Sequence, residues 1–118
     1  LGPAMEGVGV LLPSDKVGKV VGRAGSGLKQ IRETGCKVNL PPEASAEGYR
    51  RAEIQGSVEA IAAGLQQLVQ RMYWKEEDQQ CCLMVMIPAD KAGMVIGRGG
   101  ENLRSIREVT GVHATVDR

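Results

Sequence analysis

Two four-residue stretches carry the residue types and spacing that could do chemistry, Gly22-Arg23-Ala24-Gly25 and Gly97-Arg98-Gly99-Gly100. Glycine at both ends lets the backbone turn sharply and approach a ligand with no Cβ in the way. A helix opening at the second glycine presents unpaired N–H groups and the positive end of its dipole, which favours a phosphate. Arg23 and Arg98 add a cation at each tip. The expected chemistry is therefore the holding of an anionic backbone. A single stretch of this kind reads equally well as a tight turn between two helices. Here there are two, each preceded by an apolar pair and followed by Leu28 or Leu103. Neither ends in the Gly-Lys-Ser/Thr of a nucleotide-binding loop. His113 could pair formally with Cys36, Cys81 or Cys82. No orienting group accompanies such a pair, so no catalytic constellation is expected.

The two stretches belong to a longer repeat. Shifting the sequence by 75 residues lays Pro13–Glu33 on Pro88–Glu108 with 12 of 21 positions identical. After one inserted residue, Thr34-Gly35 falls on Thr110-Gly111. Self-similarity of this order means that one structural unit occurs twice.

Each unit opens on a short apolar run closed by proline, Val8–Leu12 before Pro13 and Leu83–Ile87 before Pro88. Such runs suit strands. Asp15 and Asp90 suit the start of a short helix, where a carboxylate faces unpaired amides. That helix carries Val17, Val20 and Val21 and ends at Gly22. A second helix follows Gly25, with Leu28 and Ile31 spaced to face a core and Lys29 and Arg32 outside. Thr34-Gly35 stops it. Residues 36–40 alternate as a second strand, 41–49 form a polar loop, and 50–55 a third strand. Val58, Ile61, Leu65, Leu68, Val69 and Met72 then recur at helical spacing. The second unit reads as ending at Arg118, just after its own second strand. At this size a unit rarely folds alone. It is either truncated, or its missing faces are covered by the first unit or by another chain.

Each unit resembles a KH domain, whose signature is an apolar pair, Gly-x-x-Gly, a helix and then Thr-Gly. In this chain it reads Val20-Val21-Gly22-Arg23-Ala24-Gly25 and Val95-Ile96-Gly97-Arg98-Gly99-Gly100. The chain is similar to the poly(C)-binding and hnRNP K-like tandem KH proteins. The resemblance implies an α+β, type I KH fold. Its order is β-α-α-β-β-α, with a three-stranded antiparallel sheet covered by three helices. Two tandem copies are implied, residues 6–73 and 81–118, the second partial, joined by a linker over 74–80. Leu1 to Met5 reads as a cloning remnant.

The resemblance also implies a function. Each Gly-x-x-Gly loop clamps the backbone of about four single-stranded nucleotides. Bases lie in an apolar groove, which in the first copy would use Val17, Val20, Leu28 and Val38. Lys37, and Arg50 or Arg51, stand where a basic residue would read base edges, and Lys29 flanks the loop. In the second copy Val95, Leu103, Arg104 and His113 take the corresponding places. There Ala114 replaces Val38 and His113 replaces Lys37, which implies a shallower groove and a different base preference. Lys16, Lys19, Lys91 and Arg107 also surround the loops, and Arg32 and Arg107 are expected to be structural. The partner implied is single-stranded RNA first and single-stranded DNA second. The process implied is post-transcriptional regulation. A protein-interaction scaffold built on homotypic KH packing is the rival reading.

Composition sets the remaining bounds. Hydrophobic residues make up 42% of the chain, Phe is absent, and the formal net charge is +1. The core must be aliphatic, and any electrostatic attraction must come from where charges sit. The run of about 18 apolar residues that a membrane span needs is missing. One His and no C-x-x-C pair give no zinc spacing, so no metal or cofactor is expected. Three cysteines with an adjacent pair make a poor disulfide framework. That composition reads as intracellular, in nucleus or cytoplasm.

Overall fold

The computed structural model describes residues 7–40, 48–73 and 81–116. The readings of residues 1–5 as a remnant and of 74–80 as a linker lie outside the described residues, as does most of the loop over 41–49.

Strand β1 (Gly7–Pro13) alternates, so that Val10 and Leu12 are fully buried on one face. A single 3₁₀ turn (Ser14–Lys16) leads into helix α1 (Val17–Val21). Asp15 sits in that first turn, at the start of the short helix as expected, while the N-cap position is Pro13, whose side chain has no polar group to cap with. The Ser14 N–H donates to the Gly48 carbonyl at 2.9 Å. Helix α2 (Ser26–Arg32) follows the first glycine loop. Strands β2 (Lys37–Asn39) and β3 (Tyr49–Gln55) pair antiparallel, with Val38 opposite Ile54. β3 pairs with β1, setting Val10 opposite Ala52 and Leu12 opposite Arg50. The 15-residue helix α3 (Val58–Met72) starts at Ser57, whose Oγ accepts the Ala60 N–H at 3.1 Å. Its Leu68 and Met72 are fully buried against the sheet. The core of Val10, Leu12, Val17, Val20, Ile31, Cys36, Val38, Ala52, Ile54, Leu68 and Met72 is aliphatic apart from one thiol. Burial of each large side chain stabilises by about 1.5–3 kcal/mol, so this cluster dominates the stability of the first unit.

The sheet holds four strands, in the order β2-β3-β1-β4, where the sequence implied three. The fourth, β4 (Met84–Met86), is the first strand of the second copy. It runs antiparallel to β1, with Gly9 opposite Met86, Val10 opposite Val85 and Leu11 opposite Met84. β3 satisfies one edge of β1, and β4 takes the other. An edge strand is a row of unpaired main-chain groups that recruits another strand. The entry to β4 is pinned by Tyr73, whose hydroxyl donates to the Cys82 carbonyl and accepts its N–H, both at 3.0 Å. The Lys16 ammonium lies 4.7 Å from the centre of the Tyr73 ring. Cys81 and Cys82 precede the strand and are both exposed, whereas strand positions with one thiol inward were expected.

Because of that pairing, the compact units divide after Met86. The second unit, Ile87 onward, contains a 3₁₀ turn (Ala89–Lys91), helix α4 (Ala92–Ile96) and helix α5 (Glu101–Thr110). Residues 112–116 were expected as a strand and form none. In the first unit the matching strand depends on β3 for its ladder, and among the described residues no equivalent strand pairs with this segment. No residue of α4 or α5 is buried. Ile106 is 39% exposed, whereas its counterpart Ile31 is fully buried.

Candidate nucleic-acid interface

Both glycine stretches are turns between two helices, and both have the same backbone. Gly22 (φ 74°, ψ 174°) ends α1 and Gly97 (φ 78°, ψ 170°) ends α4. Gly25 and Gly100 adopt the left-handed conformation and precede α2 and α5. Between them Ala24 has φ 55° and Gly99 φ 61°. Ala24 is the one non-glycine with positive φ among the described residues, a conformation costing an L-residue about 1–2 kcal/mol. Strain of this kind persists only where the surroundings fix the turn. They do so through Gly22 and Gly27. A Cβ on Gly22 would lie 2.6 Å from the Gly27 nitrogen. A Cβ on Gly27 would lie 2.2 Å from the Val20 carbonyl oxygen. Main chain therefore packs directly on main chain, and the tip is pushed outward. Arg23 and Ala24 are exposed, as are Arg98 and Gly99.

The apolar residues beside the first turn divide differently from the sequence reading. Val17, Val20 and Val38 are core residues, 7%, 1% and 6% exposed, and cannot form an open groove floor. The accessible apolar surface comes from Val21, Leu28 and Leu40, half-buried against the same core, and from Gly18, which a Cβ would leave in open space. The signal for Gly18 and Val21 was their i, i+3 spacing. It was masked because Val17 and Val20 have the same spacing one step round the helix.

The basic candidates are separated by strand alternation. Arg50 lies opposite Leu12 on the core-side face of β3 and is half-buried. Arg51 points to the other face, where its guanidinium lies 3.3 Å from Glu53. Of the two, only Arg50 shares the face of Val38. Lys37 is exposed and alternates with buried Val38. Lys29 is exposed on α2. In the second unit Val95 and Leu103 are half-buried, and His113 is exposed.

Two arginines have the structural role expected of them. Arg32 donates to the Val38 carbonyl at 3.1 Å, tying α2 to β2. Its counterpart Arg107 donates to the Ala114 carbonyl through Nε at 3.1 Å and Nη2 at 2.6 Å. The same latch at equivalent positions shows that the repeat extends past the glycine turn. It also holds the 112–116 segment beside α5 without a sheet.

The KH domain family matches residues 8–70 and 83–118, which include both turns and both arginine latches. The chain belongs to the KH-domain family. It carries two KH units in tandem, and the second begins with the strand that joins the first unit's sheet. KH domains are binding modules for single-stranded nucleic acid rather than enzymes. The chain is 31% identical over 111 residues to far upstream element-binding protein 1 of Homo sapiens and of Rattus norvegicus, covering 86% of this chain and 17% of that protein. It is 30% identical over 115 residues to far upstream element-binding protein 2 of Homo sapiens, covering 86% of this chain and 16% of the relative. The chain thus spans about a sixth of the length of these curated relatives. No helix among the described residues is long and apolar enough to cross a membrane. No cluster of three or more metal-ligating side chains occurs among them.

Proposed function

We propose that this tandem KH chain binds single-stranded RNA. Each Gly-x-x-Gly turn would hold the sugar–phosphate backbone, and the first unit would take bases along Gly18, Val21, Leu28 and Leu40. The observation that carries the reading is the duplicated turn. Two copies project exposed arginines, Arg23 and Arg98, from glycine-flanked backbones of nearly identical φ and ψ. Backbone amides and a guanidinium together make charge-assisted contacts with phosphate oxygens. Arg50 is the side chain best placed to read a base edge, sharing the face of Val38. Lys37, opposite Gln55, lies on the other face of the sheet with Arg51 and is not placed to read a base there.

One KH unit holds about four nucleotides, so each alone is weak. Two units on one strand gain from effective concentration. A role in post-transcriptional regulation, in nucleus or cytoplasm, is part of the proposal. The adjacent exposed thiols Cys81 and Cys82 suit a reducing compartment. Single-stranded DNA is the second candidate ligand, and the relatives' names, which describe binding to an element, are compatible with either. The rival reading is a protein-interaction scaffold built on homotypic KH packing, and the observation that favours it is the antiparallel pairing of β1 with β4, the first strands of the two copies.

Fluorescence anisotropy with a pyrimidine-rich RNA 12-mer, alone and annealed to its complement, tests the reading. The single strand should bind at least about tenfold more tightly, because a groove of this kind needs splayed bases. Equal affinity for the duplex would reject it.

A further inference from the structure

The two turns share a backbone but are held by different means. In the first, glycine-to-glycine contact between Gly22 and Gly27 fixes the geometry, and Ala24 stiffens the tip. In the second, Gly27 is replaced by Asn102 and Ala24 by Gly99; a Cβ on Gly97 would still lie 2.8 Å from the Asn102 nitrogen, but the glycine on the α5 side and the stiffer tip are lost. Two side chains of α5 take their place. Asn102 Nδ2 donates to the Met94 carbonyl at 2.7 Å, tying α5 to α4. Arg104 Nη1 donates to the Gly99 carbonyl at 2.9 Å, at the tip of the turn itself. A Cβ on Gly100 would sit 3.9 Å from the same nitrogen. The first unit has Lys29 at the position of Arg104.

An arginine has five N–H donors in a planar fork that matches phosphate. One of those donors is used by Gly99, and the side chain is exposed. The guanidinium is therefore held from α5 against the tip of the turn that carries Arg98, on an exposed side chain. A lysine has no fork to share between a carbonyl and a phosphate. The base side of this unit is poorer, with no strand over the segment that corresponds to β2.

We propose that the second KH unit is a two-guanidinium phosphate clamp, in which Arg104 braces the Gly99 carbonyl and contacts a second phosphate beyond the one held by Arg98. The second unit anchors the strand by its backbone, while the first reads its bases. This rests on the single-stranded nucleic-acid reading above.

The test uses the whole chain with the first loop silenced by R23D/A24D, and measures affinity for a pyrimidine-rich and a purine-rich RNA 12-mer across a salt series. R104M should weaken both oligomers about equally, by about tenfold, and lower the slope of log K against log salt by about 0.7, the value for one lost phosphate contact on a single strand. R104K should keep the slope. An unchanged slope in R104M overturns the proposal, whether or not affinity falls, since a brace alone would leave the phosphate count intact. A loss confined to one oligomer also overturns it, because base reading would then be involved. R98D/G99D in the same background should remove the remaining binding. If it does not, the loop reading itself fails, and the clamp with it.

Discussion

Replacing both loop tips with aspartate, R23D/A24D together with R98D/G99D, is expected to weaken single-stranded RNA binding by more than about hundredfold, with the melting temperature nearly unchanged. Each loop would lose a charge-assisted phosphate contact and gain two carboxylates facing the strand, and each site is worth roughly tenfold or more. The fold should survive because all four positions lie on exposed tips outside the core. Residues 24 and 99 have φ 55° and 61°, in the left-handed region that Asp tolerates better than most L-residues. Anisotropy titration beside a circular-dichroism melt checks both halves. An unaltered affinity would mean that neither turn touches the strand.

Gly27→Ala is expected to be the most damaging single-methyl change in the first unit, costing roughly 3 kcal/mol and lowering its melting temperature on the order of 15 °C. The added Cβ would lie 2.2 Å from the Val20 carbonyl oxygen, 2.9 Å from that of Val21 and 3.0 Å from Arg71 Nη1. Arg71 also donates to the Gln30 side chain, so it too is engaged. The carbonyls belong to α1 and cannot swing away as a flexible side chain could. α2 must retreat, which opens the core at Val20 and Ile31 and loosens the turn. A denaturant melt that moved by less than about 1 kcal/mol would show that α1 and α2 are not in the close main-chain contact described. The second unit has Asn102 at this position and does not share the liability.

Most of the first unit was legible because its signals are local. Proline after an apolar run ended β1, the apolar spacing from Val58 to Met72 marked α3, and the glycine pair marked the turn. The fourth strand was not legible. The run from Leu83 to Ile87 showed that a strand would form, but its pairing with β1 is a long-range choice that no local pattern encodes. The same gap hid the absence of a strand over 112–116, because alternation needs a partner strand to become a ladder. Arg32 and Arg107, expected to be structural, each bond the carbonyl of the segment that follows their helix. Of the residues expected to line a groove, Val17, Val20 and Val38 lie in the core. Val17, Gly18, Val20 and Val21 offer two overlapping i, i+3 faces, and only the packed core shows that Val17 and Val20 face inward. Arg50 and Arg51 were inseparable in sequence for a similar reason, since the phase of β3 is set by its register with β1.

Both glycine turns are proposed to touch one strand through their main-chain amides. Amide chemical-shift mapping of the whole chain during titration with a single-stranded RNA 12-mer reports on this directly. The Gly22–Leu28 and Gly97–Leu103 amides should shift together and saturate at one oligomer per chain. Shifts confined to the face of the sheet bearing Arg51 and Glu53, or to α3, with both turns silent, would contradict the account.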